Sequence, residues 1–188
     1  MLTEPPQFFT ATILKWIHLL KEDNYKDIIM QSLKFHVEKN RIILYAFVIM
    51  PNHIHLIWQM QQGVKQSDVQ RDFLKYTAQN IKFDLLKNDI KMLENFKVNL
   101  KDRSYQFWKH KPLSVPLFSS KVFNQKLDYI HNNPLQPKWK LCNAPEDYFY
   151  SSAKFYLKNI DDWGFLKHLT RRNVLLGAST RRIKKQFL

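Results

Sequence analysis

The chain has 188 residues, of which 45% are hydrophobic and 14% aromatic, and its 30 lysines and arginines against 16 acidic residues give a formal charge of +14. This length is enough for one buried core but short for two complete domains. Because so large a positive excess repels itself unless a polyanion balances it, nucleic acid is the first partner to consider, with a plain soluble protein or an anionic membrane as alternatives.

Simple counts disfavour several other classes. The single cysteine, Cys142, has no partner for an internal disulfide, and the N-terminus lacks a signal-peptide pattern, so a cytoplasmic protein is expected. No uncharged apolar run approaches the ~20 residues that cross a bilayer, and membrane insertion is not expected. The three glycines are too few and too scattered for a phosphate-binding loop or a dinucleotide fingerprint, which argues against a nucleotide-hydrolysing motor.

The first third of the chain predicts a strand, a helix and a hairpin. Residues 8–14 are aromatic and β-branched with alternating threonines, which is typical of a strand. Residues 25–38 place apolar side chains at helical spacing. The apolar run 41–48 and the extended segment 53–59 are separated by a turn at Pro51, and this pattern predicts two antiparallel strands.

The remaining elements are a second helix, an ambiguous stretch and a third helix. Ser67 is a candidate N-cap for a helix that ends near Lys87. Its apolar positions are Val69, Phe73, Tyr76 and Ile81. Residues 105–108 with 115–118 predict either a further strand or a connecting loop, since periodicity does not decide between them. Helical spacing returns over residues 121–133, where Pro134 limits the helix.

This order of elements predicts the fold class. The first six match a ferredoxin-like βαββαβ sheet with helices on one face, and a further helix is appended. We therefore expect an α+β protein with one domain over residues 1–170, followed by a basic tail over residues 171–188. The tail has no acidic residue, and its predicted DNA contacts are Arg171, Arg172, Arg181 and Arg182.

Two histidines form the first candidate site. Because successive side chains of a strand point to opposite faces, His53 and His55 share one face while Ile54 points to the other. Imidazoles at this spacing can converge on one metal ion. Taken alone, the pair is a weak signal, and two partly exposed histidines on an edge strand are the commoner explanation of such spacing.

The helix over residues 121–133 supplies the second candidate. At about 100° per residue, its buried stripe contains Phe123, Leu127 and Ile130. The adjoining side contains Val122, Lys126, Tyr129 and Asn133. A tyrosine in such a position is commonly a packing residue with its hydroxyl in water, so the geometry permits a catalytic role without requiring one.

Three segments resemble a known family. They are YAFVIMPNHIHLIW at 45–58, LDYIHNNPLQP at 127–137 and PEDYFYSSAKFY at 145–156. In this order they resemble the REP-associated tyrosine transposases, within the wider group of single-tyrosine HUH transposases, and the similarity covers residues 8–157.

The resemblance implies a function and a set of site residues. It implies that His53 and His55 bind Mg²⁺ or Mn²⁺ with Asn133 as third ligand, and that Tyr129 is the nucleophile. Lys126, on the tyrosine side of the helix, is then a predicted DNA contact. The implied reaction cuts and rejoins single-stranded or hairpin DNA, such as a repetitive extragenic palindrome, through a 5′-phosphotyrosine. Both monomers and homodimers with exchanged helices occur among such enzymes.

Three other functions remain as alternatives. A domesticated transposase that binds hairpin DNA without cutting it would keep the fold and the charge. A ferredoxin-like RNA-binding module should show paired aromatic motifs on its central strands, which YAFVIMPNHIH is not. A hydrolytic zinc enzyme usually needs three protein ligands, and only two histidines are obvious here. The segment LQPKWKLC departs from the smaller, Gly-containing stretch expected after the nucleophile, and SSA at 151–153 is interpreted as a helix N-cap.

Overall fold

The computed structural model describes residues 4–169. The strands in this part of the chain are β1 Gln7–Thr12, β2 Ile42–Met50, β3 His53–Met60, β4 Lys97–Leu100, β5 Arg103–Tyr105 and β6 Leu113–Pro116. The α-helices are α1 Asp23–Glu38, α2 Gln66–Asn88, α3 Ile90–Glu94, α4 Ser120–Asn132 and α5 Ala153–Lys158. Short 3₁₀ turns occur at Leu14–Trp16, Leu19–Lys21, Asn133–Leu135 and Pro145–Asp147. The predicted basic tail, with its four arginines, lies outside the described residues.

Four of the strands between residues 4 and 169 form one antiparallel sheet in the order β2-β3-β1-β6. The long helix α1 connects β1 to β2, and α2 lies in the connection from β3 to β6. This is the βαββαβ topology of the ferredoxin-like fold, so the predicted α+β class is confirmed. The edge strand β6 ends at Pro116. Proline has no N–H to donate to a neighbouring strand, and an edge strand tolerates this because it has a neighbour on one side only.

The sheet is covered on both faces. The first face packs beneath α1 and α2 and buries residues of alternate strand positions, among them Phe9, Ala11, Ile54, Leu56 and Trp58. The second face lies against α4 and buries Phe8, Tyr45, Val48, Ile57, Phe123 and Ile130. Burial on both sides explains why β2 is an almost unbroken apolar run. The appended helix thus completes a third layer.

Two details of α2 differ from prediction. Ser67 is not the N-cap, since the helix begins at Gln66 after Lys65, and no side chain caps it. Tyr76 lies on the exposed side, and Thr77 takes the buried position. The Thr77 hydroxyl donates to the Phe73 carbonyl oxygen at 2.9 Å and accepts from the Trp108 indole at 3.0 Å. These two hydrogen bonds satisfy the buried hydroxyl of Thr77. The spacing of apolar residues in the sequence cannot predict such a buried polar position.

The region whose periodicity did not decide between strand and loop, residues 105–108 with 115–118, belongs to two separate structures. Strand β5 ends at Tyr105 and pairs with β4 in a small hairpin outside the main sheet. The fourth strand of the main sheet is β6, which pairs with β1 through partners such as Phe8 and Val115. Both strands are short and largely exposed, so their residues lack a clear alternation. Among the described residues, no helix is both long and apolar enough to span a bilayer.

Candidate active site

His53 and His55 lie side by side on the second face of the sheet. Their positions in β3 pair with Thr12 and Thr10 of β1. The two ring centroids are 4.8 Å apart at an interplanar angle of 71°. Both side chains are buried, so the alternative of two partly exposed histidines on an edge strand is wrong, because β3 is an interior strand.

The His55 ring contacts Thr10 and Phe8, and one of its two nitrogens has no hydrogen-bond partner among the described residues. Its Nδ1 lies 2.7 Å from the hydroxyl of Thr10, and Phe8 stacks on the ring at 5.3 Å between centroids. Its Nε2 is buried and has no hydrogen-bond partner within residues 4–169. Buried polar atoms are normally satisfied, so an unpartnered ring nitrogen is a candidate metal ligand.

The orientation of His53 follows from its neighbour in the turn. Asn52 Nδ2 donates to the Trp16 carbonyl oxygen at 3.1 Å, which places Asn52 Oδ1 towards the His53 ring. Because Oδ1 can only accept, the His53 Nδ1–H donates to it at 2.7 Å. The lone pair of the neutral ring then lies on Nε2, as metal binding requires.

Both imidazoles are neutral at pH 7. Burial lowers the pKa of His53 to about 4, with a smaller contribution from the charge of Lys138. Burial also lowers the pKa of His55 to about 3, followed by the charges of His53, Lys126 and Lys138. Neutral rings keep a free nitrogen lone pair for a cation.

Tyr129 projects from α4 beside this pair. The helix begins after Ser119, whose hydroxyl accepts from the Val122 amide, and it is anchored by buried Phe123 and Ile130. The Tyr129 ring lies 5.1 Å from the His55 ring at 67°, and the side chain is 43% exposed. An anchored helix therefore holds an accessible phenol next to the histidines, and its exposure agrees with the predicted position off the buried stripe.

Lys126 and Asn133 lie on either side of Tyr129 along the chain. The Lys126 ammonium is 4.8 Å from the Phe8 ring centroid and 5.8 Å from that of Tyr129. Asn133 is buried and keeps helical backbone angles one residue past the end of α4, so Pro134 does not distort this turn. The structure thus places Lys126 beside the predicted nucleophile.

Sequence reasoning missed several residues of this site. The segment after α4 brings the Trp139 ring to 5.8 Å from His53, and the adjacent Lys138 is close enough to act on both histidines. The only sequence signal for them was the basic and aromatic run KWK. Thr10 and Asn52 were also missed as partners of the ring nitrogens.

A buried cluster connects α4 to the sheet. The Phe47 amide of β2 donates to the Ser152 hydroxyl at 3.0 Å, and His131 Nε2 lies 2.9 Å from the same hydroxyl. Ser152 is the N-cap of α5, as the SSA motif predicted, but its side chain makes no capping bond. Instead it links two segments, because it lies between the end of α4 and the middle of β2.

The donors present suit a metal ion with few protein ligands. Between residues 4 and 169 there is no group of three or more histidine, cysteine, aspartate or glutamate side chains that could hold a metal. The available donors are two neutral imidazoles, one of them with an unpartnered Nε2. These residues fit a divalent ion that also binds substrate oxygens.

Comparison with known proteins is informative at the level of structure. No protein-family model and no curated protein matches the sequence. A solved REP-associated tyrosine transposase bound to a REP hairpin is similar with a TM-score of 0.62 and 17% identity, over 90% of this chain and 89% of that one. A candidate transposase from Deinococcus radiodurans matches with a TM-score of 0.46 and 17% identity, over 68% of this chain and 88% of that one. The chain therefore has the fold of a REP-associated tyrosine transposase.

Proposed function

We propose that this protein is a single-tyrosine DNA strand transferase that cuts and rejoins single-stranded DNA at hairpins. The observation that supports it is the accessible Tyr129 phenol, whose ring lies 5.1 Å from the ring of His55, a buried histidine with an unpartnered Nε2. The fold and the order of the three sequence motifs support the same function. A positive charge of +14 fits a polyanionic substrate.

Tyr129 is the proposed nucleophile. Its hydroxyl oxygen attacks the phosphorus of the scissile phosphodiester while the phenolic proton leaves, and the bond from phosphorus to the 3′-oxygen breaks. The departing oxygen takes up a proton and becomes a free 3′-hydroxyl. The 5′-phosphate remains on the tyrosine, so a second 3′-hydroxyl can reverse the reaction and rejoin DNA without ATP.

The histidine pair is the proposed metal site. Nε2 of His53 and Nε2 of His55, with the amide oxygen of Asn133, would hold Mg²⁺ or Mn²⁺. When bound, such an ion neutralises charge on the nonbridging phosphate oxygens. Asn52 and Thr10 bond the Nδ1 atoms of His53 and His55, so the Nε2 atoms are the ring nitrogens left for a metal ion.

Lys126 and Lys138 are the proposed phosphate contacts next to the nucleophile. The Lys126 ammonium lies 5.8 Å from the Tyr129 ring centroid. The Lys138 ammonium lies 5.2 Å from the ring of Trp139, which is 5.8 Å from the ring of His53. Their positive charges would balance the phosphate in a partly buried site, where charge interactions are stronger than in water. Trp139 adds an aromatic surface beside His53 on which a base can stack.

The test is covalent capture of the DNA strand. End-labelled oligonucleotides containing the hairpins that flank this gene are incubated with Mn²⁺ and resolved by denaturing electrophoresis, and the attachment site is mapped by peptide mass spectrometry. Wild-type protein should form an adduct on Tyr129, and Tyr129→Phe should reduce cleavage to background. Folding and hairpin affinity should change little, because a half-exposed phenol loses a hydrogen bond worth only about 1 kcal/mol.

The matched control is Tyr76→Phe, since Tyr76 is also 43% exposed and lies on α2, away from the histidines. It should form the adduct at the wild-type rate. An adduct retained in Tyr129→Phe would contradict the assignment of the nucleophile. Tight hairpin binding by wild-type protein without any adduct would instead favour a catalytically silent hairpin-binding protein.

A further inference from the structure

A large groove lies outside the candidate active site. It runs between α2 and the segment 102–112 that leads into β6, and its volume is about 890 Å³. One side is a stripe of α2 side chains at helical spacing, which includes Arg71, Lys75, Gln79 and Lys82. The other side is backbone and side chains from Asp102 to Pro112. None of these residues belongs to the proposed catalytic machinery.

The groove is strongly basic, and much of its charge is not neutralised. Arg71 is paired with Asp68 and Asp72, and Arg103 is paired with Asp102. By contrast, Lys75, Lys82, Lys109 and Lys111 form no ion pair with any residue of the described chain. Unpaired ammonium groups along a concave surface repel one another, so a bound polyanion would stabilise them.

Two of these lysines lie close to aromatic rings. The Lys82 ammonium lies 5.3 Å from the centroid of Tyr105, and that of Lys109 lies 4.1 Å from the centroid of Trp16. The Trp16 side chain is 55% exposed. Lys15 and Trp16 both have positive φ angles, of 56° and 59°, a conformation that costs free energy in residues with a side chain. This costly turn presents a large indole to solvent.

The Trp16 end of the groove is linked by hydrogen bonds to residues that contact His53. The Lys109 amide donates to the Thr12 carbonyl oxygen at 2.7 Å, and Thr12 is the partner of His53 in the sheet. The Trp16 carbonyl oxygen accepts from Asn52, whose Oδ1 orients the His53 ring. These hydrogen bonds connect the Trp16 end of the groove to the end of the sheet at which His53 lies.

We propose that this groove, with Trp16 at its end, binds the single-stranded DNA that flanks the cleavage site. Lysines contact its phosphates, and bases stack on Tyr105 and Trp16, a combination typical of single-strand binding that is tolerant of sequence. A single strand is favoured over a duplex because paired bases cannot stack on the rings. The inference rests on the proposed function only in taking DNA as the ligand, and it assigns a binding site apart from the chemistry.

The experiment measures binding of fluorescent oligo(dT) by anisotropy over a series of salt concentrations. Removing two phosphate contacts in Lys75→Ala with Lys82→Ala should reduce the salt slope by about 1.4, from about 0.7 per contact for single strands. The matched control is Lys87→Ala with Lys91→Ala, which removes the same charge from exposed positions outside the groove. The control should keep nearly the wild-type slope. Equal losses in both double variants, or none in either, would overturn the proposal.

The aromatic contact is tested separately. Trp16→Ala should weaken oligo(dT) binding by about fivefold or more, as expected for loss of one base stack. The control Phe83→Ala removes an exposed ring from α2 outside the groove and should bind as wild type. Wild-type affinity in Trp16→Ala, or tighter binding of duplex than of oligo(dT) by the native protein, would contradict the assignment. Tyr129→Phe should retain full oligo(dT) binding, so a failure of cleavage is distinguishable from a failure of this site.

Discussion

The two faces of the central sheet are built from alternate residues of the same strands, yet they contain different chemistry. On the first face, Ile54, Leu56 and Trp58 pack into an apolar cluster beneath two long helices. On the second face, His53 and His55 interrupt the apolar packing and lie next to a half-exposed tyrosine. The comparison indicates that the first face supplies most of the folding free energy, and that the second gives up packing to hold reactive groups.

Neighbouring residues of β3 test that division most directly. Leu56→Ala should lower the free energy of unfolding by about 2–5 kcal/mol, because a fully buried side chain leaves a cavity. His55→Ala, one residue away and also buried, should lower it by only about 1 kcal/mol, since it mainly loses the bond to Thr10. Urea unfolding measures both values. Equal losses would contradict the division between a stabilising face and a reactive one.

The helical layer over the first face contains a buried histidine, whose protonation tests how far that face stabilises the fold. His36 on α1 is buried, and burial lowers its pKa from 6.5 to about 4, with a further contribution from Arg41. The unfolded chain therefore binds this proton more tightly than the folded one, so stability falls as the pH drops from about 6.5 towards 4. His36→Leu should recover on the order of 2–3 kcal/mol of that loss at pH 4.

The matched control for this acid effect is His110→Leu, because His110 is exposed. Because substitutions at exposed positions usually change stability by less than about 0.5 kcal/mol, His110→Leu should keep nearly the wild-type stability at pH 7. Urea unfolding at pH 7 and at pH 4 gives the difference for each variant. If His36→Leu lost as much stability on acidification as the wild type, the buried histidine would have no part in the acid dependence.

The connection between α4 and β2 belongs to the second face. Ser152→Ala leaves the Phe47 amide without its partner, which should cost about 1–3 kcal/mol. Since α4 also contains Tyr129, the rate of adduct formation should fall while oligo(dT) affinity is kept. The control Ser120→Ala changes an exposed serine on the same helix. An unchanged rate in Ser152→Ala would mean that this cluster only stabilises the fold.

Much of the fold was predictable because its elements have strong local periods. The alternation of β3 placed His53 and His55 on one face, and the period of α4 placed Tyr129 off the buried stripe; both placements agree with the structure. The order of elements predicted the ferredoxin-like sheet. Periodicity left residues 105–108 and 115–118 undecided between a strand and a loop, because the short exposed strands of this region have too few buried positions to show a pattern.

The sequence by itself thus determined which face each histidine occupies and which side of its helix the tyrosine occupies, because both depend on backbone periods of two and 3.6 residues. Only the tertiary structure decided what surrounds them. The pairing of β1 with β3 brings Thr10 to His55, the turn at Trp16 orients Asn52, and the chain after α4 returns Trp139 to His53. These contacts join residues far apart in the chain, and their geometry follows from strand register and layer packing, which no local pattern encodes.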